Sequence, residues 1–207
     1  MRQFIKFSLL TACLTACTSS GPDNTFPSHK LNFVFNETLS LNETELDASQ
    51  WQQLSSTATG RFAITEMVLN GENAKNWSQK ITISFYPEAL NELASKLNRF
   101  VAATEQQARQ ECKLGSFMWT QLQKNPNAYS QALISEEYMA SLETEGCETT
   151  DNGYAIYRFV KTKAGIHQLI YVQKNRWNDL EKINLQEILG SASVISPPNT
   201  YEAIPGN

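Results

Sequence analysis

Tyr154-Ala155-Ile156-Tyr157-Arg158-Phe159-Val160, followed after Lys163-Ala164-Gly165 by Ile166-His167-Gln168-Leu169-Ile170-Tyr171-Val172, is the stretch that decides the fold. Tyr154, Ile156, Arg158 and Val160 alternate with Ala155, Tyr157 and Phe159, and Ile166, Ile170 and Val172 alternate with His167, Leu169 and Tyr171. Period-two alternation rich in β-branched and aromatic residues predicts two strands, and the glycine-containing break between them predicts a hairpin. Downstream, Asn178 followed by Glu181 has the form of a helix N-cap with its reciprocal acid, and Leu185, Ile188 and Leu189 carry that helix to Gly190. Upstream, Phe62, Ile64 and Val68 mark one face of a strand ending near Leu69, Asn70-Gly71 is a turn signal, and Ile81 to Tyr86 is a further strand. Pro87 suits the first turn of a helix, in which Leu90, Leu93, Leu97, Phe100 and Val101 recur at helical spacing through about Gln110.

The remaining segments are patterned less sharply. Leu31, Phe33 and Phe35 alternate with Asn32, Val34 and Asn36 as in a half-buried strand. Residues 36–60 read as polar and irregular, with Leu46, Trp51 and Leu54 as contacts for a short helix. Between Cys112 and Cys147, Phe117 to Gln123 is expected as a short helix stopped before Pro126, Tyr129 to Ile134 as a strand, and Ser135 to Leu142 as another helical turn. Hairpin strands interleaved with helices predict an α+β fold, an antiparallel sheet built from hairpins with two or three helices packed on one face. Asn76-Trp77 with the strand Ile81 to Tyr86, and the hairpin Tyr154 to Lys174, resemble segments of uncharacterised secreted proteins of proteobacteria, a resemblance that implies no particular activity.

The start of the chain is of a different kind. Arg2 and Lys6 form a basic opening, Phe7 to Ala16 is a mostly apolar run, and Leu14-Thr15-Ala16-Cys17 closes it with small residues before a cysteine. This resembles the lipobox signal of bacterial lipoproteins. The resemblance implies that residues 1–16 are a signal peptide removed before Cys17, and that the Cys17 thiol is diacylated and its new amino group acylated. Leu10-Thr11-Ala12-Cys13 has the same pattern, but cleavage there would leave an apolar run shorter than the usual 7–15 or so residues, which favours Cys17 over Cys13. An ordinary secretory signal, or a buried amphipathic start to the fold, is the alternative. Acyl chains contribute about 0.8 kcal/mol per buried methylene, so two or more hold a protein stably to a bilayer. No later segment is apolar over a membrane-spanning length. In lipoproteins of Gram-negative cells an Asp after the acylated cysteine causes retention at the inner membrane, so Thr18 implies the periplasmic face of the outer membrane. Residues 17–30, rich in Ser, Thr, Pro and Asn, read as the acylated cysteine and a flexible tether. Residues 31–196 then form a single globular domain, and 197–207 a C-terminal tail.

Charge and cysteine usage narrow the partners. The chain of 207 residues has a formal charge of −4, and it becomes more acidic once Arg2 and Lys6 leave with the leader. Such a balance disfavours general nucleic-acid binding, which rests on phosphate neutralisation. With 41% hydrophobic residues a real core is feasible. Cys112 and Cys147 remain as an even pair in an oxidising compartment, and a disulfide is the expected reading, with free buried thiols as the alternative. Closing a loop of about 36 residues contributes roughly 3–4 kcal/mol in the chain-entropy picture.

Catalytic and metal-binding patterns are sparse. Only His29 and His167 are present, with no His-Glu-x-x-His, paired Cys-x-x-Cys or Asp/Asn-rich calcium loop, so no metal and no cofactor is expected. His167 reads as a solvent-facing strand residue. Neither Gly115-Ser116 nor Gly190-Ser191 makes a nucleophile elbow. Glu136 with Glu137, and Glu143 with Glu145, read as acidic surface rather than an acid–base pair, and Trp51, Trp77, Trp119 and Trp177 as core or as one exposed anchor. The sequons at Asn36, Asn42 and Asn76 carry no weight in a bacterial lipoprotein. Arg158, Lys161, Lys163, Lys174 and Arg176, near Lys182, stand out as a candidate anionic-partner patch for a protein, lipid head groups or lipopolysaccharide. The competing reading is lysines that keep hairpin edges soluble. The leading functional expectation is a non-enzymatic, lipid-anchored binding or scaffolding module in a cell-envelope complex. A periplasmic carrier of a small apolar or anionic ligand is second, and an enzyme of unrecognised type third.

Overall fold

The computed structural model describes residues 38–41, 46–59, 61–123, 132–147 and 153–195. The leader, Cys17, the tether, the strand expected at Leu31 to Phe35, residues 129–131 and the tail lie outside the described residues, and Ala132 to Ile134 hold a turn instead of the end of the expected strand. In chain order the elements are β1 (Thr38–Ser40), β2 (Trp51–Ala58), β3 (Ala63–Leu69), β4 (Gln79–Pro87), α1 (Leu97–Glu111) and β5 (Ser116–Gln121). There follow β6 (Glu136–Glu145), β7 (Tyr154–Lys161), β8 (Gly165–Gln173), α2 (Asp179–Ser191) and β9 (Ser193–Ile195). Seven strands make one antiparallel sheet in the order β2-β3-β4-β8-β7-β6-β5, and β1 pairs with β9 in a separate ribbon.

The β7–β8 hairpin sits at the centre of the sheet, with β4 and β6 on its flanks, which is why its two strands read most clearly. Its register sets Val160 opposite His167, Arg158 opposite Leu169 and Ile156 opposite Tyr171. Gly165 pairs with Pro87, and an added Cβ would lie 2.1 Å from the Tyr86 carbonyl oxygen, so only glycine fits.

Because side chains alternate across a strand, the sheet has two distinct faces. On one, Met67, Ile81, Ile83, Met139, Ile156, Val160, Leu169 and Tyr171 pack with Leu189 of α2 and with Leu39, Leu41 and Val194 from around the β1–β9 ribbon. On the other, Phe159 and Ile166 pack with Leu97, Phe100 and Val101 of α1. The two helices therefore cover opposite faces, correcting the expectation of helices on one face; the mixed α+β class stands. Burying both faces gives each a separate apolar cluster, at about 25 cal/mol for each Å² of apolar surface removed from water.

Several local expectations are corrected. The segment at Trp51 and Leu54 is the edge strand β2, with a bulge between Gln53 and Ser55, instead of a short helix. β3 ends at Leu69 with Ile64 and Val68 on one face as expected, Val68 buried and Ile64 half-buried, while Ala63, Thr65 and Met67 face the α2 side. Phe117 to Gln123 and Ser135 to Leu142 are not helical: they contribute the paired strands β5 and β6. Pro87 ends β4, and α1 starts only at Leu97. Asn91 and Lys96 hold extended backbone (φ −140° and −136°) between 3-10 turns, leaving Leu90 and Leu93 exposed. The α2 cap is as expected: Asn178 accepts from the Glu181 backbone N–H at 2.9 Å, and Glu181 accepts from the Asn178 N–H at 2.9 Å.

Candidate functional site

On one face α2 and the β1–β9 ribbon pack on the sheet, whereas on the other α1 lies over β6 and β7 and reaches β4 through Phe100 on Tyr86, their ring centroids 4.8 Å apart. Toward β2 and β3 this face is partly polar: Ser55, Glu66 and Lys80 are half-buried, whereas Val68, Ser84 and Gln168 are buried. Ser55 Oγ donates to Glu66 Oε2 at 2.8 Å, Lys80 Nζ lies 3.8 Å from Glu66 Oε1, and Ser84 Oγ donates to Gln168 Oε1 at 3.1 Å. Mutual bonding satisfies these polar side chains, the buried Ser84–Gln168 pair among them.

Where α1 ends, a cleft of ≈ 190 Å³ opens between its last turn and the sheet. Its floor follows the strand register: Lys80 on β4 is opposite Val172 on β8, Val172 opposite Ala155 on β7, and Ala155 opposite Leu142 on β6. The next row runs through Thr82, Ile170 and Tyr157. Ala155 is the small residue in this row, and its short side chain deepens the floor. Ala108 and Glu111 of α1 form the opposite wall. The Cys112–Cys147 disulfide, with Cα atoms 4.5 Å apart, closes one end. It fastens the C-cap of α1 to the chain just beyond β6, so the expected cysteine pairing is present and also shapes the cleft.

The basic residues do not make one surface patch. Arg158 is buried on the α2 side: Nε donates to Glu137 Oε1 at 2.6 Å, and Nη1 donates to the carbonyl oxygens of Leu189, at 3.0 Å, and Ala192. Lys161 is buried and paired with Glu88. Of the five, Lys163 is exposed at the β7–β8 turn, while Lys174 and Arg176 are exposed beyond the far end of β8. Sequence reasoning placed Arg158 and Lys161 at the surface because a charge in an alternating strand ordinarily faces water. Here both faces of the central strands are covered, and each charge is neutralised by a carboxylate or by helix-terminal carbonyls. The same correction applies to the Glu137 side chain, which is buried against Arg158, whereas Glu143 is half-exposed and accepts from Lys182 Nζ at 2.9 Å. His167 is buried instead of solvent-facing, its ring centroid 4.5 Å from that of Phe85.

Sequence reasoning missed a cluster beside the cleft. Trp77 is buried in the loop before β4, with Lys80 Nζ 4.8 Å and Lys174 Nζ 4.4 Å from its ring centroid. The indole thus gathers two ammonium groups, of which that of Lys80 belongs to a residue lining the cleft. The spacing of Trp77 from Lys80 was the one local signal; Lys174 arrives only through the β4–β8 pairing. Among the described residues no group of His, Cys, Asp and Glu is arranged to hold a metal ion, and no helix is long and apolar enough to cross a membrane. No protein-family model matches the chain, and neither a curated protein nor a solved structure does.

Proposed function

We propose that this chain is a lipid-anchored binding module of the cell envelope, held by acyl chains on Cys17 at the periplasmic face of the outer membrane and acting without catalysis. The anchor rests on the Leu14-Thr15-Ala16-Cys17 lipobox with its basic and apolar approach. The binding role rests on one observation, the unequal covering of the sheet: α2 and the β1–β9 ribbon pack on one face, and the other is partly polar toward β2 and β3 and keeps a cleft. In-cell cross-linking with affinity capture and mass spectrometry, on the wild type beside Cys17→Ser, tests the anchored reading. One envelope complex enriched in the wild type and lost in the variant supports it. Confirmed acylation at Cys17 with no specific partner removes the scaffolding role.

The second reading, a carrier of a small ligand, is favoured by the cleft itself. Native mass spectrometry of the purified chain separates the two: a co-purified small molecule supports the carrier, and a clean apo mass counts against it.

A further inference from the structure

Pro87 at the end of β4 pairs with Gly165 at the start of β8, and the chain between β4 and α1 is built out from that end of the sheet. Its two 3-10 turns, Glu88–Leu90 and Glu92–Ser95, are fixed to the β7–β8 turn: the Glu88 N–H donates to the Ala164 carbonyl oxygen at 2.9 Å, and the Glu88 carboxylate pairs with Lys161. Ala94, Leu97 and Phe100 are buried, whereas Leu90 is 59% and Leu93 47% exposed. Two leucines left in water forgo the stabilisation that burial would bring.

The charge around them is positive. Arg61 beside the start of β3, Lys96 and Arg99 about the start of α1, and Lys163 in the β7–β8 turn are all exposed, against the exposed acids Glu92 and Glu136. Cations are thus in excess at this end of a chain whose formal charge is −4. Among the described residues none of these four cations makes an ion pair. Lys96 and Arg99 also stand at the positive end of α1, which has no acid in its first turn and no side-chain cap. A facing anion relieves that otherwise unfavourable arrangement.

We infer that this end of the sheet docks on an anionic lipid surface. Leu90 and Leu93 enter the boundary between head groups and acyl chains, and Lys96, Arg99 and Lys163 lie among the phosphates. Exposed leucines set among unpaired cations match a surface that is anionic outside and apolar beneath, which is the layering of such a bilayer. The choice of lipid over protein rests on the anchored reading, in which residues 18–37 keep the first described strand within about 70 Å of a membrane. The surface is separate from the cleft, which opens at the other end of α1.

The test uses the full chain carrying Cys17→Ser, which has no acyl group. It is mixed with vesicles of equimolar phosphatidylglycerol and phosphatidylcholine, or of phosphatidylcholine alone, and amide hydrogen exchange is followed. Exchange across residues 88–100 should slow with the anionic vesicles only. Lys96→Gln/Lys163→Gln should raise the lipid concentration for half of this protection by about tenfold or more, since each cation near an anionic surface contributes about fivefold. Leu90→Ser/Leu93→Ser should raise it by about tenfold or more. Leu180→Ser/Ile183→Ser, at exposed apolar residues of α2, should leave it unchanged. All six side chains are exposed, so every variant should keep the wild-type circular dichroism spectrum. Unaltered exchange at 88–100, equal protection by neutral vesicles, or protection indifferent to the lysine pair or the leucine pair would each overturn the inference. Cross-links from this segment to an envelope protein, without protection by vesicles, would overturn it too and assign the surface to a protein partner. Acylation of native Cys17 is read separately by mass, so failure of the anchored reading and failure of this one are distinguishable.

Discussion

Arg158 Nε lies 2.6 Å from Glu137 Oε1, a buried ion pair whose guanidinium also holds the carbonyl oxygens at the end of α2. A residue of the central strand β7 thus caps a helix that begins about twenty residues later in the chain. The pair joins sheet, helix and β6 through one planar cation, and its five donors suit a site that must serve a carboxylate and backbone oxygens together.

Removing one partner should cost far more than removing both. Arg158→Met takes the guanidinium away from the buried Glu137 carboxylate and from the α2 carbonyls, for a loss of about 3–5 kcal/mol. The double variant Arg158→Met/Glu137→Met should lose clearly less than the sum of the single variants. Urea-unfolding midpoints for the four proteins measure this. An Arg158→Met midpoint within error of the wild type would show that the pair carries no stability.

The disulfide makes a second prediction. Cys112 and Cys147 are separated by 35 positions, and opening that loop should destabilise the domain by about 3–4 kcal/mol. Because the bridge fastens the end of α1, the loss should be accompanied by faster amide exchange in the last turn of α1 than in its Leu97–Val101 region. Denaturation with and without a reductant, beside Cys112→Ser/Cys147→Ser, reads the first effect, and hydrogen exchange reads the second. Uniform exchange along α1 in the reduced protein would contradict the role given to the bridge.

Alkaline pH should weaken the fold through its buried tyrosines. Burial, with the charge of Glu181 adding to it, holds the Tyr171 phenol well above the ordinary tyrosine value, and burial raises Tyr86 as well, partly offset by a hydrogen bond with Ser84. The native state therefore keeps protons that the unfolded chain releases above about pH 10, so the unfolded state binds fewer protons and stability falls as pH rises from there. Below that pH the two states hold these protons equally and the tyrosines add no slope. Thermal-unfolding midpoints across pH 8 to 11 should decline less steeply above about pH 10 in Tyr171→Phe than in the wild type. Superimposable profiles would rule Tyr171 out as a source of the decline.

How much of this was legible depended on where each element sits. The β7–β8 hairpin and β4 announce themselves because central strands are lined by β-branched and aromatic residues. The α2 cap is equally plain, since Asn178 and Glu181 act on backbone groups three residues away. β2 escaped because an edge strand of Gln, Ser and Thr has little need of apolar alternation. β5 and β6 escaped because short segments with apolar residues three or four apart fit a helical period as well as a strand. The start of α1 was placed too early for a related reason: Leu90 and Leu93 keep the spacing, but extended backbone at Asn91 and Lys96 breaks the helix. For the candidate site, Cys112 and Cys147 could be paired by compartment and count, whereas Lys80, Ala155 and Glu111 share no local pattern.

Strand alternation, the caps and turns that end elements, the cysteine pair and the antiparallel α+β class are written in the order of residues along the chain. All of these arise from interactions between residues near in sequence, or from composition alone. Packing between distant segments is what sets α1 and α2 on opposite faces, buries Arg158 and Lys161, and opens a cleft lined by Lys80 and Glu111 beside the disulfide. A period of two says that a strand has two faces; which of them is covered, and by what, is set by packing between segments far apart in the chain.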